Sequence, residues 1–137
     1  MRTVIDTNAL LRCIGLKSPF RPIFGSLLLG NYTLVVSTSI LYEYEEILGE
    51  RNGAFVTEAT LAALLSLDNL IRQRISYDFH LVEQDPDDDK FVNAYVAGQA
   101  DYLVTNDRHF RVVLASRFPT VRVVSAAELM EILKNSI

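Results

Sequence analysis

Arg2-Thr3-Val4-Ile5-Asp6-Thr7-Asn8 is a β-branched apolar run that ends abruptly in an acid, with a helix-like run from Ala9 to Ile14 behind it. A strand buried on both faces of a parallel sheet reads as continuous apolar residues. Open α/β sheets bind ligands at the carboxyl ends of such strands, where loops and helix starts converge. Asp6 is therefore expected at that edge, with Thr7 and Asn8 beginning the turn into the first helix. Every other informative acid can be weighed by whether it could reach the same place.

Working outward, the chain alternates. Pro22 to Leu29 reads as a helix closed by Gly30-Asn31, and Tyr32 to Val36 as a second buried strand. Ser37-Thr38-Ser39 caps a helix that runs to about Leu48 and stops at Gly49 or Gly53. Another helix is expected from Thr57 to near Arg72, and Ile75 to Val82 is a strand or an extended piece. A turn at Asp85-Pro86-Asp87-Asp88-Asp89 feeds a helix from about Lys90 to Gly98. Tyr102 to Thr105 is a further strand, Asn106-Asp107 leads into a short helix, and Val121 to Val124 is the last strand. Ser125 then caps a helix through Leu133. Strands alternating with helices predict an α/β fold, a parallel sheet covered on both faces.

The 137 residues suit one domain, 1–137, and half of them are apolar, enough for a real core. No stretch approaches the roughly 18 apolar residues of a membrane span. The start reaches Asp6 too soon for a secretory apolar segment, so a cytoplasmic protein is expected. The lone Cys13 can form neither an internal disulfide nor a cysteine-based zinc site, and suits a small core position on the first helix.

A net charge of −4 speaks against a nucleic-acid partner until its distribution is considered. Glu43, Glu45, Glu46 and Glu50 form one acidic block and Glu83, Asp85, Asp87, Asp88 and Asp89 another, nine of the seventeen acids. Residues 1–42 carry Arg2, Arg12, Lys17 and Arg21 against Asp6 alone, and residues 108–127 carry Arg108, Arg111, Arg117 and Arg122 with no acid. An acidic centre with basic flanks suits a metal site that handles a polyanion.

Each acid also has a plainer role. Asp6 and Asp107 could simply cap the helices that follow them. On the helix after Ser37, about 100° per residue puts Ile40, Leu41, Tyr44, Ile47 and Leu48 on the core stripe. Glu43 and Glu45 fall on its two borders and Glu46 points away; periodicity does not choose between the first two. Four aspartates between 85 and 89 exceed what one helix start uses, and their repulsion asks for a cation. Oxygen-only donors of this kind suit Mg2+ or Mn2+. Thr7, Asn8, Thr105 and Asn106 flank the acids and could orient them or serve the turns. His80 and His109 read as structural or surface residues, and Tyr42, Tyr44 and Tyr95 as core packing.

Taken in order, Val-Ile-Asp6-Thr-Asn, Ser37 followed six residues on by Glu43, Asp-Pro-Asp-Asp88-Asp-Lys-Phe and Ala-Asp-Tyr-Leu-Val-Thr-Asn-Asp107 resemble the PIN-domain nucleases. The resemblance spans essentially the whole chain and is closest to the toxin components of bacterial and archaeal toxin–antitoxin pairs. It implies a three-layer α/β/α sandwich with a central parallel sheet. Matched residue by residue, it implies that Asp6, Glu43, Asp88 and Asp107 are the catalytic, metal-binding quartet, gathered within a few ångströms. Asp88 is taken over Asp85 or Asp89 for its distance to the Ala-Asp-Tyr-Leu-Val-Thr run. The implied activity is Mg2+- or Mn2+-dependent hydrolysis of RNA phosphodiesters. The implied partners are RNA, an antitoxin protein and a second copy in a homodimer.

Competing chemistries fit less well. An aspartyl phosphatase wants Asp-x-Asp, but Asn8 holds the second position. A receiver domain needs a late lysine, and none stands between Lys90 and Lys134. A dinucleotide binder needs a glycine-rich first turn, which Asp-Thr-Asn-Ala is not. The remaining rival is a PIN-like fold kept as a binding module without turnover.

Overall fold

The computed structural model describes residues 1–74, 89–115 and 120–136. Its elements are β1 (Arg2–Ile5), α1 (Thr7–Ile14), α2 (Arg21–Leu28), β2 (Thr33–Val36), α3 (Thr38–Leu65), β3 (Leu70–Arg72), α4 (Asp89–Ala97), β4 (Tyr102–Val104), α5 (Arg108–Ala115), β5 (Val123–Val124) and α6 (Ala126–Asn135). The strands form one parallel sheet in the order β3-β2-β1-β4-β5, with β1 at its centre. Thr3 pairs with Leu34 on one side, and Ile5 with Val104 on the other. Connections stepping toward β3 and those stepping back toward β5 carry their helices on opposite faces by the right-handed crossover rule. The result is a three-layer α/β/α fold.

The apolar strand runs have the environment their composition requires. Val4, Ile5, Leu34, Val35, Val36, Leu103 and Val104 are all essentially inaccessible. Fully burying an aliphatic side chain of this size is worth about 1.5–3 kcal/mol, so these strands dominate the core. On the helices, α1 packs on α2 and α3, α2 on α6, and α4 on β1, β2 and β4. Where α4 ends it comes very close to β2: a Cβ on Gly98 would lie 2.6 Å from a methyl of Val35 and 2.9 Å from the Ala94 carbonyl. Only glycine permits that approach.

At the ends of β1, β2 and β5 a capping side chain hands the chain to the next helix. Asp6 after β1 accepts from the Ala9 N–H, Ser37 after β2 from Ile40, and Ser125 after β5 from Glu128. Glu128 returns a bond to the Ser125 N–H, completing a capping box. These caps collect the helix starts along one edge of the sheet.

Two expectations change, and one pair of alternatives is resolved. The helix begun at Thr57 ends at Leu65 rather than near Arg72, and Leu70–Arg72 is instead an edge strand paired with β2. Asn69 explains the switch, because its side-chain amide donates to the Leu27 and Tyr32 carbonyls at 2.9 and 2.6 Å and pins the chain beside β2. Of the two stops expected for the helix after Ser37, Gly49 and Gly53, the chain uses the second: the helix breaks at Gly53, whose φ of 80° is left-handed. Tyr42 is 69 % exposed, whereas Tyr44 and Tyr95 are core residues as read. The stretch Ile75–Val82, the turn at Asp85–Asp88 and His80 lie outside the described residues.

Candidate active site

Asp6 sits where the central strand stops, and it is buried, with 8 % of its surface exposed. Its backbone N–H still belongs to the sheet, donating to the Val104 carbonyl at 3.0 Å. One carboxylate oxygen accepts from the Ala9 N–H at 2.8 Å, and the Thr105 hydroxyl also hydrogen-bonds the carboxylate. Burial nevertheless pushes the Asp6 carboxyl above its ordinary range. The two hydrogen bonds oppose that shift, and the negative charges of Asp107 and Glu43 add to it. A cation placed here would relieve a charge that is costly to hold.

Asp107 follows β4 and is exposed. Its Oδ1 accepts from the Phe110 N–H at 3.1 Å, so it does cap α5, and its own N–H donates to Thr105 Oγ1 at 3.1 Å. Thr105, 1 % exposed, thus links the two acids through a single hydroxyl. Asn106 is tied down by accepting from the Ala126 N–H at 3.1 Å, which fixes the loop between β4 and α5 against the start of α6.

Glu43 is the border glutamate whose side chain has partners, while Glu45 and Glu46 are exposed. Its carboxylate accepts a short hydrogen bond from the Thr7 hydroxyl and an ion pair from Lys90 at 2.8 Å. Both members of that pair are about one-fifth exposed, at 22 %. The neighbouring Tyr44 hydroxyl donates to the Ile5 carbonyl, anchoring this turn of α3 to the end of β1.

Asp6 and Asp107 line one cleft of about 630 Å³ together with Asn8, Ala9, Leu11, Arg12, Arg51, Asn52 and Asn106. Glu43 instead lines a second hollow with Ser39, Tyr42, Glu46, Ile47 and Lys90. Asp88 lies outside the described residues. Among the described residues, no three His, Cys, Asp or Glu side chains are gathered closely enough to hold an ion. Glu43 is paired with the Lys90 ammonium, and the acids offer only oxygen donors, the kind a hard divalent ion takes.

Sequence reasoning missed Lys90, Arg51 and Asn52. Lys90 stood beside the aspartate run, but its partner is 47 residues away in sequence and only the fold reveals it. Arg51 and Asn52 reach the cleft because α3 continues past Gly49. Of the basic flanks, Arg12 reaches the cleft, whereas Arg111 pairs with Glu128 at 2.7 Å and Arg2 donates to the Gly98 carbonyl at 2.9 Å. Cys13 is buried, and burial pushes its thiol up to about 12, as an inert core residue requires.

The PIN domain profile matches residues 2–109. No curated protein sequence matches the chain. Among solved structures, the fold is similar to a chain of VapBC2 from Rickettsia felis, bound to a DNA fragment from their promoter. That match has a TM-score of 0.64 at 20 % identity, over 91 % of this chain and 98 % of that one. It is also similar to the PIN domain endonuclease Utp24, with a TM-score of 0.56 at 18 % identity, over 90 % of this chain and 84 % of that one. Among the described residues no helix is long and apolar enough to cross a membrane.

Proposed function

The chain belongs to the PIN domain family, and from that premise we propose that it is a Mg2+- or Mn2+-dependent endoribonuclease, the toxin of a toxin–antitoxin pair. The observation that carries the proposal is Asp6: a buried carboxylate at the end of the central strand, raised by burial, with Asp107 across Thr105 and Glu43 nearby. Likeness in fold to VapBC2 and to the endonuclease Utp24 agrees with this reading.

Asp6, Glu43, Asp88 and Asp107 would hold the ion. When bound, it would polarise a phosphodiester oxygen and acidify a water. The chain's own part is positioning. The Ala9 N–H and the Thr105 hydroxyl fix the Asp6 carboxylate, and Thr7 and Lys90 fix that of Glu43. Asn106 holds the loop that presents Asp107, and Asn8 lines the cleft beside Asp6. Protein donors placed in advance need no reorganisation during the reaction.

The proposed setting is the cytoplasm, with residues 1–137 acting as one domain, a homodimer, and an antitoxin protein covering the acids. The packing of α6 on α2 supports one domain, because it ties residues beyond 109 to the first part of the chain. The test is cleavage of single-stranded RNA by purified protein with Mn2+, with EDTA, and with Asp6→Asn. Cleavage that needs the ion and the acid supports the proposal. Binding of a partner protein with no turnover under any condition would establish the alternative, a PIN-like binding module.

A further inference from the structure

Two arginines stand in the acid cleft from opposite directions in the sequence. Arg12 lies in the last turn of α1, and Arg51 in the turn of α3 just before the Gly53 break. Both are exposed, and among the described residues neither guanidinium takes part in an ion pair, although Asp6 and Asp107 line the same cleft. Asn8, Asn52 and Asn106 complete the polar lining.

We infer that Arg12 and Arg51 form a two-armed grip on the backbone of a single-stranded RNA, each guanidinium taking a phosphate beside the one presented to the acids. An anionic strand that approaches Asp6, Asp107 and Glu43 meets repulsion, and cations must stand beside those acids for the strand to dwell there. A guanidinium suits this place better than an ammonium. Its planar fork matches two phosphate oxygens at once and is weakly hydrated. Gly53 supports the arrangement. Its left-handed backbone, φ 80° and ψ 173°, ends the first segment of α3 one residue after Asn52, so Arg51 and Asn52 sit at an open helix terminus. Arg12 and Arg51 are thereby positioning residues. The grip rests on the nuclease reading only for where the strand lies, and binding can be measured without cleavage.

The test uses a fluorescein-labelled oligouridylate of about twelve nucleotides and the full chain in EDTA, with anisotropy followed from about 50 to 200 mM salt. Arg12→Ala and Arg51→Ala should each weaken binding several-fold and flatten the slope of log K against log salt by about 0.7. The lysine variants R12K and R51K should keep the slope and lose part of the affinity. Lys134→Ala, an exposed base on α6 away from the cleft, should change neither. In Mn2+, the two alanine variants should raise KM while kcat stays within about twofold. Unchanged slopes in both alanine variants overturn the grip, as does an equal loss in Lys134→Ala or a wild-type chain that fails to bind. An oligodeoxyuridylate bound equally well overturns the choice of RNA. If the slopes fall as expected yet no ion supports cleavage, the nuclease reading fails and the grip stands. If cleavage persists with KM unchanged in both variants, the grip fails and the nuclease reading stands.

Discussion

Asp6 and Asp107 occupy the same local motif: each follows a sheet strand, and each caps the next helix. Their surroundings differ. Asp6 ends the central strand, flanked by strands on both sides, and is buried, whereas Asp107 stands clear of the sheet and is exposed. Burial makes the Asp6 charge costly, and the Ala9 and Thr105 hydrogen bonds only partly offset that cost. One sequence pattern thus yields a buried, constrained acid at the floor of the cleft and an exposed one beside it. What separates them is strand order, which no local motif contains.

The largest expected effect tests whether the two acids share a task. Asp6→Asn and Asp107→Asn should each reduce Mn2+-dependent RNA cleavage by more than about a hundredfold. Retained cleavage in one of them would assign that acid to capping alone. Next comes stability. Asp6→Ala removes a cap and leaves the Ala9 N–H and the Thr105 hydroxyl without their acceptor, which should cost about 2 kcal/mol. Asp107→Ala loses an exposed cap and should cost about 1 kcal/mol. Urea melts of the two would show equal losses if burial made no difference.

The pH dependence should separate the two acids further. Because the Asp6 carboxyl is raised in the folded chain, its protonated form is favoured there. Its contribution to stability is therefore full below the unfolded value of about 3.9 and is lost as pH rises through the folded value. In EDTA, Asp6→Asn should melt at or above wild type at neutral pH, and that advantage should shrink on acidification. A gap that widens toward acid pH would contradict the sign of the shift.

Glu43 is a third case, an acid with its own cation. Lys90→Gln should destabilise the chain in EDTA by about 1 kcal/mol, because the pair is only partly buried. The same variant should gain more from Mn2+ than wild type does, read as a larger shift in Tm. The smallest effect should come from Arg111→Ala, which breaks an ion pair about half exposed on both sides. It should stay within about 0.5 kcal/mol in the same melts. A larger loss would mean that the link between α5 and α6 carries more of the fold than its exposure suggests.

Much of this architecture was legible because the sheet's central strands are short unbroken apolar runs, each closed by a residue with one obvious local task. Asp6, Ser37 and Ser125 all announce a helix start by residue type alone. β3 was not legible. Leu70-Ile71-Arg72 is half-buried at an edge, and what makes it a strand is Asn69 bonding to carbonyls about 40 residues earlier. At the site, periodicity narrowed the helix acids to Glu43 and Glu45. Only Thr7 and Lys90, placed there by the fold, separate them. Arg51 was hidden for another reason: the helix could stop at Gly49 or at Gly53, and only the second, which α3 uses, keeps Arg51 helical. Resemblance to a family supplied the quartet, while Arg12 and Arg51 came from the cleft itself.

The strand order has a consequence in time. β1 is made before the other strands of the sheet, but one of its two neighbours, β4, is made about a hundred residues later. At roughly 5–20 residues per second, Asp6 waits on the order of 5–20 s for Val104, Thr105 and Asp107. During that interval the emerging chain has half a sheet and lacks Thr105 and Asp107 entirely. Until that delay has passed, a newborn copy carries no complete acid cleft.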